Sequence, residues 1–167
     1  MYKRLFIMSL LILIIFSIGC GQKGPDPREL GRSVIKSLQD KDVEAYLNNC
    51  LTIADKKFMI VSLKLSLKEK TAQMALIPTS RRDIYETNDM RTANFNDIAS
   101  LAGWEKAVIN KISLKKRIKE DGILFYEGII VKFKQSVLPD LKIGRIVSVK
   151  GQWKIMDAKA LTFLSMI

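Results

Sequence analysis

The chain has 167 residues, 28 of them lysine or arginine against 17 acids, with two cysteines and no histidine. That length allows one domain with a real core and is too short for two. Without histidine there is no Ser-His-Asp or Cys-His nucleophile pair and no metal site built on imidazole. No CxxC, phosphate-cradling glycine loop or paired-carboxylate motif is present either, so no cofactor and no metal are expected. A formal charge of +11 favours acidic neighbours, either anionic lipid head groups or an acidic envelope protein. A solvated basic surface that only maintains solubility is the equal alternative. No base-reading motif accompanies the charge, so nucleic acid is not an expected partner.

In chain order, Lys3 and Arg4 precede an apolar stretch over 5–18 that closes on Gly19 and Cys20. The stretch is short of the ~20 residues a spanning helix needs, and its three zones are those of a secretory signal. "FSIGC" resembles the lipobox of bacterial lipoproteins, with Ser17 where that family usually has leucine. The resemblance implies cleavage before Cys20, acylation of that cysteine and a membrane partner through the lipid anchor. Several acyl chains would make attachment stable. Gly21 stands where an aspartate would retain an enteric lipoprotein at the inner membrane, which implies the outer membrane. The residues after Cys20, "GQKGP", read as a flexible spacer. The organisation expected is a signal over 1–19, a lipidated cysteine and tether over 20–26, and one domain over 27–167.

The domain opens with "DPRELGRSVIKSLQD". Asp26 suits a helix cap, Pro27 the first helical position, and Glu29 the third residue of a capping box. Leu30, Val34 and Leu38 form an apolar stripe, so this is a helix. "DKDVEAYLNNCL" predicts a short second helix burying Tyr46 and Cys50. Cys50 reads as a small core residue, not a reactive thiol. Over 53–77, "VSLKLSLK" alternates like a strand. The run from Leu51 to Ile77 nevertheless lacks Gly and Pro, Met59, Leu63 and Leu67 keep helical spacing, and Thr52 with Asp55 forms a capping pair. Helix is the reading taken. The polar stretch 78–95 lacks a period and reads as a long loop, and "NDIASLAG" as one helical turn ending at Gly103.

From Trp104 the pattern changes to strands. Ile112, Leu114 and Ile118 alternate with polar partners, and Glu120-Asp121-Gly122 supplies a hairpin turn. Ile123, Phe125, Ile129, Val131 and Phe133 are expected on one face, with Gly128 marking a bulge or bend. A second hairpin turns at Lys150-Gly151-Gln152. Trp153 is expected to cover the stripe of Leu30, Val34 and Leu38. Helices first and a four-stranded meander afterwards give an α+β fold, with the helices packed on a curved, cone-like antiparallel sheet.

"LGRSVIKSLQDKDVEAYL" and the terminal "VKGQWKIMDA" resemble the two ends of the nuclear-transport-factor-two-like superfamily. That resemblance implies a cone formed by the sheet, but no single function. A non-enzymatic ligand- or protein-binding domain of the cell envelope is the first expectation. Trp104, Tyr126 and Trp153 are its candidate ligand-lining residues. The alternative is a small enzyme using an Asp or Tyr in the cone, for which Tyr126, Glu127 and Asp157 are candidates. Solvated or structural roles suit all three of these better. The run Lys115, Lys116, Arg117 and Lys119 could meet anionic head groups, although lysines on an edge strand more often prevent unwanted pairing.

The anchor is directly testable. Cys20→Ser should abolish labelling by a clickable fatty acid and release the protein from its membrane. Labelling that persists in the variant refutes the lipobox reading.

Overall fold

In a computed structural model, residues 25–77, 80–120, 122–134 and 137–164 are described. The expected signal segment, Cys20 and the tether to Gly24 lie outside them, as does Asp121 of the first turn.

Among the described residues, five helices precede eight short strands. Helix α1, Pro27–Asp40, starts where Asp26 accepts a hydrogen bond from the Arg28 amide and ends at Lys41, which takes a left-handed conformation at φ 55. Glu29 pairs with Arg32 and so does not close the expected capping box. Helix α2, Val43–Asn48, is capped by Asp42. The 53–77 stretch is helical but divided into α3, Ile53–Ser62, and α4, Leu67–Ala75. Each opens with a reciprocal capping box, Thr52 with Asp55 and Ser66 with Glu69. Two such boxes in one stretch satisfy the orphan amides of two starts, and the alternating "VSLKLSLK" straddles the break between them.

The largest departure from expectation is helix α5, Arg81–Ala99, which occupies most of the segment read as a loop. Ser80 caps it by accepting from the Asp83 amide at 3.1 Å. Its inward face includes Ile84, Arg91, Phe95 and Ala99, and polar members on that face hide the apolar stripe from a sequence reading. Asn94 fixes the helix to the sheet edge. Its side chain accepts from the Leu161 amide at 2.9 Å and donates to the Leu161 carbonyl at 3.0 Å. The expected turn at 96–103 is the end of α5, followed by Gly103 and a single 3-10 turn, Trp104–Lys106.

The strands are β1 (Val108–Leu114), β2 (Arg117–Glu120), β3 (Ile123–Tyr126), β4 (Ile129–Lys134), β5 (Leu141–Ile143), β6 (Ile146–Val149), β7 (Gln152–Ile155) and β8 (Leu161–Phe163). They form two antiparallel sheets, β1-β4-β5-β8 and β2-β3-β6-β7. The two are halves of one four-stranded meander folded along a crease. Backbone hydrogen bonds cross that crease from Lys115 to Gly128 (2.9 Å), Glu127 to Lys116 (3.0 Å), Gly144 to Ala160 (2.7 Å) and Met156 to Arg145 (2.9 Å). Lys150 and Gly151, both at positive φ, form the two-residue turn between Val149 and Gln152, as the right-handed twist of a hairpin favours.

The crease also corrects the face assignment. Ile129 and Val131 pack in the main core, whereas Ile123 and Phe125 pack in a second cluster with Leu51, Val147 and Val149. Tyr126, of the opposite parity, joins the main core. The alternation therefore slips by one residue between Tyr126 and Ile129, as a bulge at Gly128 requires. The same slip separates Ile143 from Ile146. Helices α1, α2 and α5 cover the main core, and α3 lies over the second cluster through Met59.

Gly128 sits at φ 147, and a Cβ there would stand 2.5 Å from the Ile143 carbonyl oxygen. Gly128→Ala should therefore cost about 1–3 kcal/mol or more from backbone strain plus that clash. Gly122→Ala, at φ 87 with open space around it, should cost only the strain. Chemical denaturation of both variants checks the order. Equal costs would show that the crease does not depend on this close approach.

Candidate functional site

The sequence-derived candidates are not gathered into one site. Trp104 is 1% exposed, donates its indole N–H to the Ile98 carbonyl at 2.8 Å and packs against Phe133 and Phe163. Its environment is core packing. Tyr126 and Trp153 do meet, with ring centroids 5.4 Å apart. Trp153 is half-buried beside Leu30 and donates to the Pro25 carbonyl at 2.7 Å, so it covers only the beginning of the α1 stripe. Asp157 accepts from the Arg145 amide at 2.8 Å and pairs with its guanidinium at 3.2 Å, tying down the crease beside Gly144. Glu127 is exposed. Of the basic run, Lys116, Arg117 and Lys119 are exposed around the edge strand β2. Lysine there suits protection of the edge.

A different group of residues forms the most distinctive environment. Tyr46 and Cys50 lie one turn apart at the end of α2, both essentially buried. Tyr46 stacks on Phe95 of α5 at 5.0 Å, and one turn earlier on α5 stands Arg91, only 5% exposed. An Arg91 terminal nitrogen donates to the Leu51 carbonyl at 3.2 Å. Its Nε is buried without a partner, as is the Tyr46 hydroxyl. Among the described residues no carboxylate forms an ion pair with this guanidinium. A buried charge without a counter-charge is costly. Such an arrangement is stable when something else supplies the negative charge or hydrogen-bond acceptors.

Arg91 lines a cleft of about 370 Å³ between α2, α3 and α5, together with Leu47, Leu51, Ile84, Thr87 and Asn88. That volume is at the lower end for small-molecule sites. A second groove of about 430 Å³ adjoins it, sharing Leu51 and Lys56. Met59, Ile60, Leu63, Leu76, Ile123 and Met156 make that groove almost wholly apolar. Asp83 and Lys56 also line the first cleft, so one end of the combined cleft carries charged side chains and the other is greasy. Sequence reasoning missed Arg91 because its segment was read as a loop. The available signal was its position four residues before Phe95 and seven after Ile84.

Burial pushes the Tyr46 hydroxyl well above its ordinary range and raises the Cys50 thiol as well, with the nearby Arg91 charge offsetting only part of this. Cys50 also donates to the Tyr46 carbonyl at 3.6 Å. The thiol is therefore protonated and inert at neutral pH. Among the described residues no group of Cys, Asp and Glu could hold a metal ion. No described helix is long and apolar enough to cross a membrane.

Compared with protein-family models, with curated proteins and with solved structures, the chain has no significant match.

Native Cys50 should resist a bulky maleimide and react once the chain is denatured. Rapid native labelling would contradict its burial. A pH effect follows from the same residues. Unfolded Cys and Tyr ionise near their ordinary 9.0 and 10.0, while the folded chain keeps both protons. Stability should hold below about pH 9 and fall as pH rises further. A urea midpoint that does not fall over that range would show that neither group stays protonated in the folded state.

Proposed function

We propose that the chain is a lipid-anchored, non-enzymatic binding domain of the bacterial cell envelope, attached to the outer membrane through Cys20. Its ligand is a small amphiphile whose carboxylate pairs with Arg91 and whose apolar part lies in the adjoining groove. The lipobox-like "FSIGC" supports the address, and the bent sheet under helices accords with a nuclear-transport-factor-two-like cone. The observation that carries the ligand class is the buried Arg91 guanidinium, which forms no ion pair among the described residues, at the edge of an apolar groove.

The chemistry argues for binding and not for turnover. Tyr46 and Cys50, which neighbour Arg91, are held protonated by burial, so neither is a base or nucleophile at neutral pH. Hydrogen bonds to a charged partner contribute about 1.5–3 kcal/mol, roughly a 10- to 150-fold difference in affinity.

Calorimetric titration with dodecanoate and with dodecanol, which shares the chain but lacks the charge, tests this reading. Dodecanoate should bind at least tenfold more tightly, and Arg91→Met should erase the difference. Methionine fills a similar space without the unpaired charge, so the variant should fold at least as stably. Equal binding of the two probes to the unsubstituted chain would overturn the assignment of Arg91 as the head-group site.

A further inference from the structure

The helical arm α3–α4 exposes more apolar surface than an element that serves only to cover the core would. Leu67 is 82% and Leu76 83% exposed, and Val61 and Phe58 are also exposed. Neither helix contains a fully buried residue. Around these apolar side chains the segment 53–77 carries five lysines (56, 57, 64, 68 and 70) against two acids, Asp55 and Glu69. Both acids are occupied locally. Glu69 accepts from the Ser66 hydroxyl and amide, and Asp55 does the same for Thr52 while pairing with Lys150 at 3.6 Å. The surface of the arm therefore presents hydrocarbon interspersed with an excess of positive charge. Exposed apolar area of this kind marks an interaction site, and with lysine beside it the complementary surface is an anionic lipid interface.

Position in the fold selects the same partner. The tip of the β6–β7 hairpin touches both the chain entry and the arm. On one side Trp153 holds the Pro25 carbonyl at 2.7 Å. On the other, Lys150 lies 5.0 Å over the Phe58 ring and bonds Asp55. Pro25 is five residues from Cys20, which a fully extended chain spans in at most about 18 Å. A domain anchored at Cys20 thus keeps this end close to the bilayer.

We infer that α3–α4 is a membrane-docking arm, which lays Phe58, Val61 and Leu67 into the interface of an anionic bilayer with its lysines at the head groups. This rests on the anchor reading for the placement of the domain, but the arm's own affinity is separable from it.

The test uses the full chain reconstituted in phosphatidylcholine vesicles with or without phosphatidylglycerol. Leu67→Cys or Thr162→Cys provides a site for an environment-sensitive fluorophore, Cys50 being buried and unreactive. The label at 67 should shift to the blue and be quenched by brominated lipid, several-fold more strongly when phosphatidylglycerol is present. The label at 162, on β8, should remain aqueous. Reversing the charge at three exposed lysines (Lys57→Glu, Lys64→Glu, Lys68→Glu) should remove the quenching at 67. No quenching at 67 in either vesicle overturns the proposal, as does a label at 67 that cross-links to an envelope protein while remaining unquenched. Mass spectrometry of Cys20 reads the anchor separately. If that cysteine is unacylated, quenching at 67 on simple addition of vesicles still decides the arm.

Discussion

Gly128 bends a four-stranded meander onto itself, and the rest of the domain is arranged around that bend. A flat sheet of these strands would put Ile123, Phe125, Ile129 and Val131 on one side, leaving a single broad apolar face. The crease slips the alternation by one residue, so that the distal half of the sheet buries side chains on both faces. One cluster receives α1, α2 and α5, and the other receives α3. The bend needs a residue without a side chain, because a Cβ at Gly128 would stand 2.5 Å from the Ile143 carbonyl oxygen. Asp157 reinforces the crease from the neighbouring strand pair by bonding Arg145.

With helices on both faces of the distal half-sheet, two crevices arise where the helical layers meet. One lies between α2, α3 and α5 and contains Arg91. The other lies under α3 and α4 and is apolar. The electrostatic balance of the first crevice decides its chemistry. A guanidinium this deeply buried loses most of its hydration, and one backbone carbonyl replaces little of it. A bound carboxylate would supply the missing charge and acceptors at Nε. The neighbouring Tyr46 and Cys50 cannot do so, since both are held protonated by the same burial.

Much of the architecture could be read in the sequence, and the reasons for the misses are physical. Leu30, Val34 and Leu38 announce α1 because a helix that packs on one side only must repeat its apolar residues every turn. Both hairpin turns and the bend at Gly128 were visible through glycine. Helix α5 was not, because its inward face carries Thr87, Asn88 and Arg91 where a core-only helix would carry leucine or valine. Those polar residues face a cleft, so the feature that hid the helix is also the feature that marks the site. Trp104 shows the converse. Large aromatics attract attention in a sequence, yet their size most often serves core packing, as it does for Trp104. Arg91 acquires meaning only after α5 is docked against α2, which no local pattern encodes.

Native mass spectrometry of the chain purified gently from the cells that make it addresses the central claim most directly. The chain should carry an additional non-covalent mass, identified after denaturation as an acidic amphiphile, and the Arg91→Met protein should lack it. A bare chain, or the same mass retained by Arg91→Met, would contradict the assignment of this cleft as a carboxylate-binding site.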